Sequence, residues 1–104
     1  MLVSAGFDSA AGDEMCYGLT PAGYAALTRR LMGLAGGRLV VALEGGYNVV
    51  AVARGLHACT AALLGAAAAP AADAAPARPP SDVALRCVRE AADALREFWP
   101  SLPR

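Results

Sequence analysis

Cysteine is scarce in this chain and poorly placed for crosslinking: Cys16, Cys59 and Cys87 are odd in number, far apart, and form no Cys-x-x-Cys pair. A disulfide framework is excluded, and the thiols read as reduced, intracellular ones. The single histidine, His57, has no partner at metal-ligand spacing and reads as a structural or solvated residue. Charge is sparse, at 17% of residues, and balanced, so it points to neither an acidic nor a basic partner. Arg29-Arg30 is the largest basic cluster of the folded part, which leaves no surface suited to direct nucleic-acid binding. No basic segment followed by a long apolar one opens the chain, so secretion is not expected. The stretch from Cys59 to Ala75 is hydropathic, but it is mostly alanine and is broken by Pro70 and Asp73, so no membrane span is expected there.

What is present is a short series of elements. A length of 104 residues suits one small domain. Leu2-Val3-Ser4-Ala5 reads as the end of a buried strand, with Met1 standing where earlier strand residues would be expected. Thr20 offers an N-cap and Pro21 the first helical position, and Tyr24, Leu27, Leu31 and Leu34 then recur on one helical face. Gly36-Gly37 is the expected stop of that helix, through a left-handed cap. Leu39 to Leu43 is a continuous apolar run, as in a strand covered on both faces of a parallel sheet. Strand, helix and strand in this order predict a right-handed βαβ unit.

Asn48 is placed to cap a second helix, with Val49, Val52, Leu56, Cys59 and Leu63 on one face and Gly65 as its stop. Residues 66–80 are almost entirely alanine and proline and read as a linker, because they offer few large side chains to bury. Ser81-Asp82 caps a last helix with Leu85, Val88, Ala92, Leu95 and Trp99 on one face, ended by Pro100. The plain role of that helix is to dock on the main body through Leu95, Phe98 and Trp99; the alternative is to bind a partner.

Two loops carry the chemistry. Gly6-Phe7-Asp8 follows the first strand, and Glu44-Gly45-Gly46-Tyr47-Asn48 follows the second. In an open parallel sheet functional groups gather beyond the carboxyl ends of the strands, and neighbouring strands lie about 5 Å apart, so Asp8 and Tyr47 can serve one small ligand. The carboxylate of Asp8 suits a metal ligand, and equally a turn cap bonded to its own backbone. The phenol of Tyr47 suits a donor to a developing oxyanion, and equally a half-buried aromatic with its hydroxyl in water. Gly45-Gly46 lacks the GxGxxG context of a phosphate cradle. Met15, Cys16 and Tyr17 can line the mouth of a cleft or simply pack their loop.

The segment Leu2 to Asp13, LVSAGFDSAAGD, resembles the zinc-ligand loop of class II histone deacetylases, of class IIb-like type. The match continues in order through Leu31-Met32-Gly33-Leu34-Ala35-Gly36-Gly37-Arg38, Leu43-Glu44-Gly45-Gly46-Tyr47-Asn48 and Leu63-Leu64-Gly65. It is weaker over 81–100, where Phe98-Trp99-Pro100-Ser101-Leu102 is similar to the segment that follows the catalytic domain. The resemblance implies an α/β fold, a fragment of the arginase-deacetylase fold with a parallel sheet flanked by helices, here a βαβα unit plus a C-terminal helix. Residues 1–65 would be the C-terminal portion of a catalytic domain, 66–80 the linker and 81–104 the docking helix.

By the same resemblance the cofactor is Zn2+, Asp8 is similar to the second aspartate of an Asp, His, Asp zinc site, and Tyr47 to the tyrosine that polarises the acetyl carbonyl. Gly45 and Gly46 let the backbone approach the substrate tunnel, and Met15 helps form its rim. The implied substrate is N6-acetyl-lysine on histones or other proteins, and the implied location is nucleus, cytoplasm or both. Tyrosine at position 47 is unlike the class IIa branch, which carries histidine there.

Two departures qualify the resemblance. The family usually has proline where Glu14 stands, and the loop from Asp8 to Pro21 is one residue short. In the simplest alignment Met15 fills a specificity position that is apolar in lysine deacetylases and glutamate in the polyamine-deacetylating branch; with an earlier gap Glu14 fills it and the substrate reverses. The family's paired histidines and first Asp-x-His ligands belong to an upstream half that this sequence does not include. The 104 residues are therefore expected to be inactive alone. The rival expectation is a truncated, non-catalytic interaction module with an exposed sheet edge.

Overall fold

Leu2–Ala5 (β1) and Val40–Leu43 (β2) pair in parallel, with Leu2 opposite Val40 and Ala5 opposite Leu43. Between them run a helix, Pro21–Met32 (α1), and a 3-10 turn, Ala35–Gly37; after β2 comes a second helix, Val49–Leu63 (α2). The computed structural model describes residues 1–15, 17–66 and 79–102, so Cys16 and all but the ends of the expected linker lie outside the described residues. The chain divides into two compact units, Met1–Ala74 and Ala75–Arg104. The α/β architecture expected from the sequence is present in the first.

The caps form as their residue types dictate. The Gly23 N–H donates to Thr20 Oγ1 at 3.2 Å, with Pro21 opening α1, and the Ala51 N–H donates to Asn48 Oδ1 at 3.0 Å at the start of α2. α2 ends where Gly65 turns left-handed with φ 75°, and the Gly65 and Ala66 N–H groups satisfy the Ala62 and Ala61 carbonyls.

The core sits where the first loop meets the two helices. Phe7 is 1% exposed, and its ring lies 4.8 Å from that of Tyr24 among Ala10, Ala51 and Cys59. Burying such a side chain contributes about 1.5–3 kcal/mol. Gly55 belongs in the middle of α2 because a Cβ there would lie 2.7 and 2.9 Å from Phe7 Cδ1 and Cε1.

Three expectations are corrected. α1 ends at Met32, with Gly33 still right-handed and Leu34 extended, so Gly36 and Gly37 serve the following 3-10 turn and Leu34 drops off the helical face. The buried faces are rotated in part: Tyr24 and Cys59 are buried as expected, but Ala25 and Thr28 in α1 and Ala51, Gly55 and Ala62 in α2 join them, while Val49 is 82% exposed. α1 and α2 pack directly on each other, and a close crossing selects small side chains, whereas apolar periodicity favours large ones. Finally, the strands are not covered on both faces: Leu2 is 84% exposed, because no described element of this unit packs on the face it shares with Val40.

In the second unit, Asp82–Leu95 (α3) starts at Ser81, whose Oγ accepts from the Ala84 N–H at 3.2 Å. The helix ends at Leu95, ahead of Pro100, and the Phe98 and Trp99 N–H groups fold back to the Leu95 carbonyl at 3.0 and 2.9 Å. Arg86 pairs with Glu90 at 3.8 Å and Arg96 with Asp93 along its surface. No described helix of the chain is long and apolar enough to cross a membrane.

Candidate functional site

The parallel ladder does not stop at the strand ends. The Glu44 N–H donates to the Ala5 carbonyl at 3.0 Å and the Phe7 N–H to the Gly45 carbonyl at 2.7 Å, so the loops after β1 and β2 remain bonded to each other. Ser4 Oγ donates to Glu44 Oε1 at 2.8 Å across the same boundary. This locked edge carries both chemically distinctive side chains.

The Asp8 carboxylate, partly exposed, lies against the bare backbone of Gly45: a Cβ on Gly45 would sit 2.7 Å from Asp8 Oδ1 and 2.9 Å from Cγ. Gly46 adopts φ 128°, and a side chain there would collide with Val52 and Phe7. The pair therefore brings the second loop onto Asp8 and then turns it into α2. Tyr47 follows, a residue 70% exposed to solvent. Met15 stands in the first loop, 54% exposed and in no buried cluster, so the structure unites Asp8, Gly45, Gly46 and the Tyr47 backbone and leaves Met15 at the periphery.

What the sequence did not disclose is Asp13. It is 3% exposed, and its Oδ2 accepts the N–H groups of Tyr47 at 2.9 Å and Asn48 at 2.8 Å, while Oδ1 accepts from the Glu14 N–H at 2.8 Å. The Asn48 N–H is the chief cause that holds this carboxyl below the usual carboxylate range; burial opposes it, and the Tyr47 and Glu14 N–H groups reinforce it. Its only sequence signal was an acid beside Gly12 in a short loop that has to fold back on the next strand.

Beneath the loops, the Tyr24 hydroxyl is buried without a hydrogen-bond partner among the described residues. Burial pushes its pKa up, and the charges of Asp8 and Asp13 and the Cys59 thiol add to the effect. A depression of about 210 Å³ between the starts of α1 and α2, lined by Ala10, Pro21, Tyr24 and Arg54 among others, includes neither Asp8 nor Tyr47.

Among the described residues no three of His, Cys, Asp and Glu converge as a metal site. A catalytic zinc takes three protein ligands and an open position, and the described residues do not bring such a set together.

The solved relatives place this parallel α/β edge in the arginase-deacetylase fold. The chain superposes on the structure of the histone deacetylase Clr3 with a TM-score of 0.86 at 32% identity, over 98% of this chain and 17% of that one. The crystal structure of the HDA15 HD domain matches with a TM-score of 0.79 at 38% identity, over 97% and 26% of the two chains. The histone deacetylase domain model matches residues 1–63, and Histone deacetylase 15 of Arabidopsis thaliana is 41% identical over 103 residues. The chain belongs to the histone deacetylase family. It covers 98% of its own length in that alignment but spans only 18% of the Arabidopsis protein.

Proposed function

We propose that these residues form part of the active site of a zinc-dependent, class II protein lysine deacetylase that hydrolyses N6-acetyl-lysine on histones or other proteins, in the nucleus, the cytoplasm or both. The observation that carries this reading is the contact of the Asp8 carboxylate with the Gly45 backbone, two residues before Tyr47, on one edge of a parallel sheet. Asp8 is one zinc ligand and Tyr47 the oxyanion donor. Bound zinc supplies Lewis acidity toward the amide carbonyl and an activated water.

The phenol of Tyr47 donates a hydrogen bond to the carbonyl oxygen as negative charge accumulates on it, and its exposed position leaves the hydroxyl free to meet a substrate arriving from solvent. Met15 contributes an apolar rim, which suits the aliphatic stem of lysine better than a polyamine's second ammonium. Among the described residues no three metal ligands converge, so the 104 residues by themselves are not expected to turn over substrate.

The test uses the complete enzyme, with an acetyl-lysine peptide assayed beside an acetylated polyamine. Asp8→Asn is expected to lose zinc. Tyr47→Phe is expected to keep it and to slow turnover by about two to three orders of magnitude, the scale for one oxyanion donor. A Tyr47→Phe enzyme at the wild-type rate removes the role given to Tyr47, and preference for the polyamine overturns the substrate class.

A further inference from the structure

A phenol that acts as a hydrogen-bond donor works only if its distance to the reacting oxygen is fixed. Tyr47 has little of its own to fix it: the residue is 70% exposed, it lies outside the core cluster, and it sits between Gly46, at φ 128°, and the cap of α2. What holds its backbone is Asp13. One buried oxygen, Oδ2, takes the N–H groups of Tyr47 and Asn48 together, and the other oxygen is tied to the Glu14 N–H.

We infer that Asp13 is a positioning residue for Tyr47, a carboxylate clamp from the zinc-ligand loop that sets where the oxyanion donor stands relative to Asp8. The inference rests on the reading of Tyr47 as that donor. It follows from how the charges and donors are arranged. Tyr47 and Asn48 present two successive N–H groups at the start of α2, before any intrahelical acceptor is available to them, and an ionised carboxylate satisfies both with short, charge-assisted bonds. Because Asp13 lies only five positions beyond Asp8 on a loop itself bonded to Gly45, the donor loop and the ligand loop are referenced to each other rather than to a distant part of the fold. Asn48 separately caps α2 through the Ala51 N–H, so the helix start does not depend on Asp13 alone.

A residue that merely stabilises the fold and one that aims Tyr47 are separated by a double-mutant cycle in the complete enzyme. Asp13→Asn, Tyr47→Phe and the double variant are assayed for kcat and KM on an acetyl-lysine peptide and for zinc content. Misplacing a catalytic group by about 1 Å costs on the order of 100-fold, so Asp13→Asn is expected to lower kcat by roughly 10- to 100-fold with KM and zinc little changed. In the Tyr47→Phe background, where no phenol remains to be aimed, the same substitution is expected to cost less than about twofold. Asp13→Glu, which keeps the charge on a longer arm, runs in the same cycle and takes its place if the asparagine variant does not fold.

Equal losses in both backgrounds would overturn the clamp while leaving Tyr47 as the donor, and so would an unchanged kcat in the single variant. A wild-type rate in Tyr47→Phe would instead overturn the reading of Tyr47 on which the clamp depends.

Discussion

Gly45 presents bare backbone to the carboxylate of Asp8, and a methyl group there would press on Oδ1 and Cγ at 2.7 and 2.9 Å. The Asp8 carboxylate, the far end of its side chain, has to swing away from that methyl, while the loop backbone stays held by the Phe7 bond to the Gly45 carbonyl. Gly45→Ala in the complete enzyme is therefore expected to cost about 0.5–1.5 kcal/mol, as the Asp8 side chain is pushed off its rotamer. It should be seen as a lower Tm together with zinc binding weakened by about tenfold or more. Wild-type Tm and zinc affinity in that variant would show that Asp8 is not pressed on the Gly45 backbone. At this scale the sequence named the acid and the phenol from their places after two apolar runs. It could not name Asp13, because an acid in a glycine-rich loop looks solvated until the fold buries it to 3% exposure.

The elements follow the same division between what residue types announce and what packing decides. Thr20, Asn48 and Ser81 were legible as caps because their short oxygen-bearing side chains bond locally to N–H groups three residues on. The buried faces were legible only at Tyr24 and Cys59, since periodicity weighs Leu and Val above Ala and Gly, whereas the α1–α2 crossing takes Ala25, Ala51, Gly55 and Ala62 inside. Gly55 gives a direct measure of that closeness. Gly55→Ala gains about 1 kcal/mol of helix propensity and loses about 1–3 kcal/mol to collision with the Phe7 ring, so it is expected to be neutral to destabilising by up to about 2 kcal/mol in urea unfolding. A variant more stable than wild type would mean that the ring and the helix are not in contact.

For the molecule as a whole, pH reads the buried groups. The Asp13 carboxyl titrates below its unfolded value near 3.9. Its contribution to stability is present above that value and is lost as pH falls through the lower, folded one. Tyr24 is shifted the other way: the folded state prefers the neutral phenol, so its contribution holds below about pH 10 and is lost as pH rises past it. Melting temperature against pH is expected to fall at both ends. Asp13→Asn should flatten the acid limb and Tyr24→Phe the alkaline one, while Tyr24→Phe should cost little near neutrality because the hydroxyl it removes has no hydrogen-bond partner among the described residues. An alkaline limb that survives unchanged in Tyr24→Phe would assign it to another group.

The cross-bonding of the two loops also bears on how such proteins diverge. Phe7 is bonded to Gly45, Asp13 to Tyr47 and Asn48, and Asp8 fills the space that Gly45 leaves, so neither loop is a free variable. A chimera that imports residues 6–13 from a relative while keeping the resident 44–48 inherits one half of a fitted joint. Exchanging both segments together transfers the joint whole, and leaves exposed neighbours such as Met15, which the joint does not hold, free to vary.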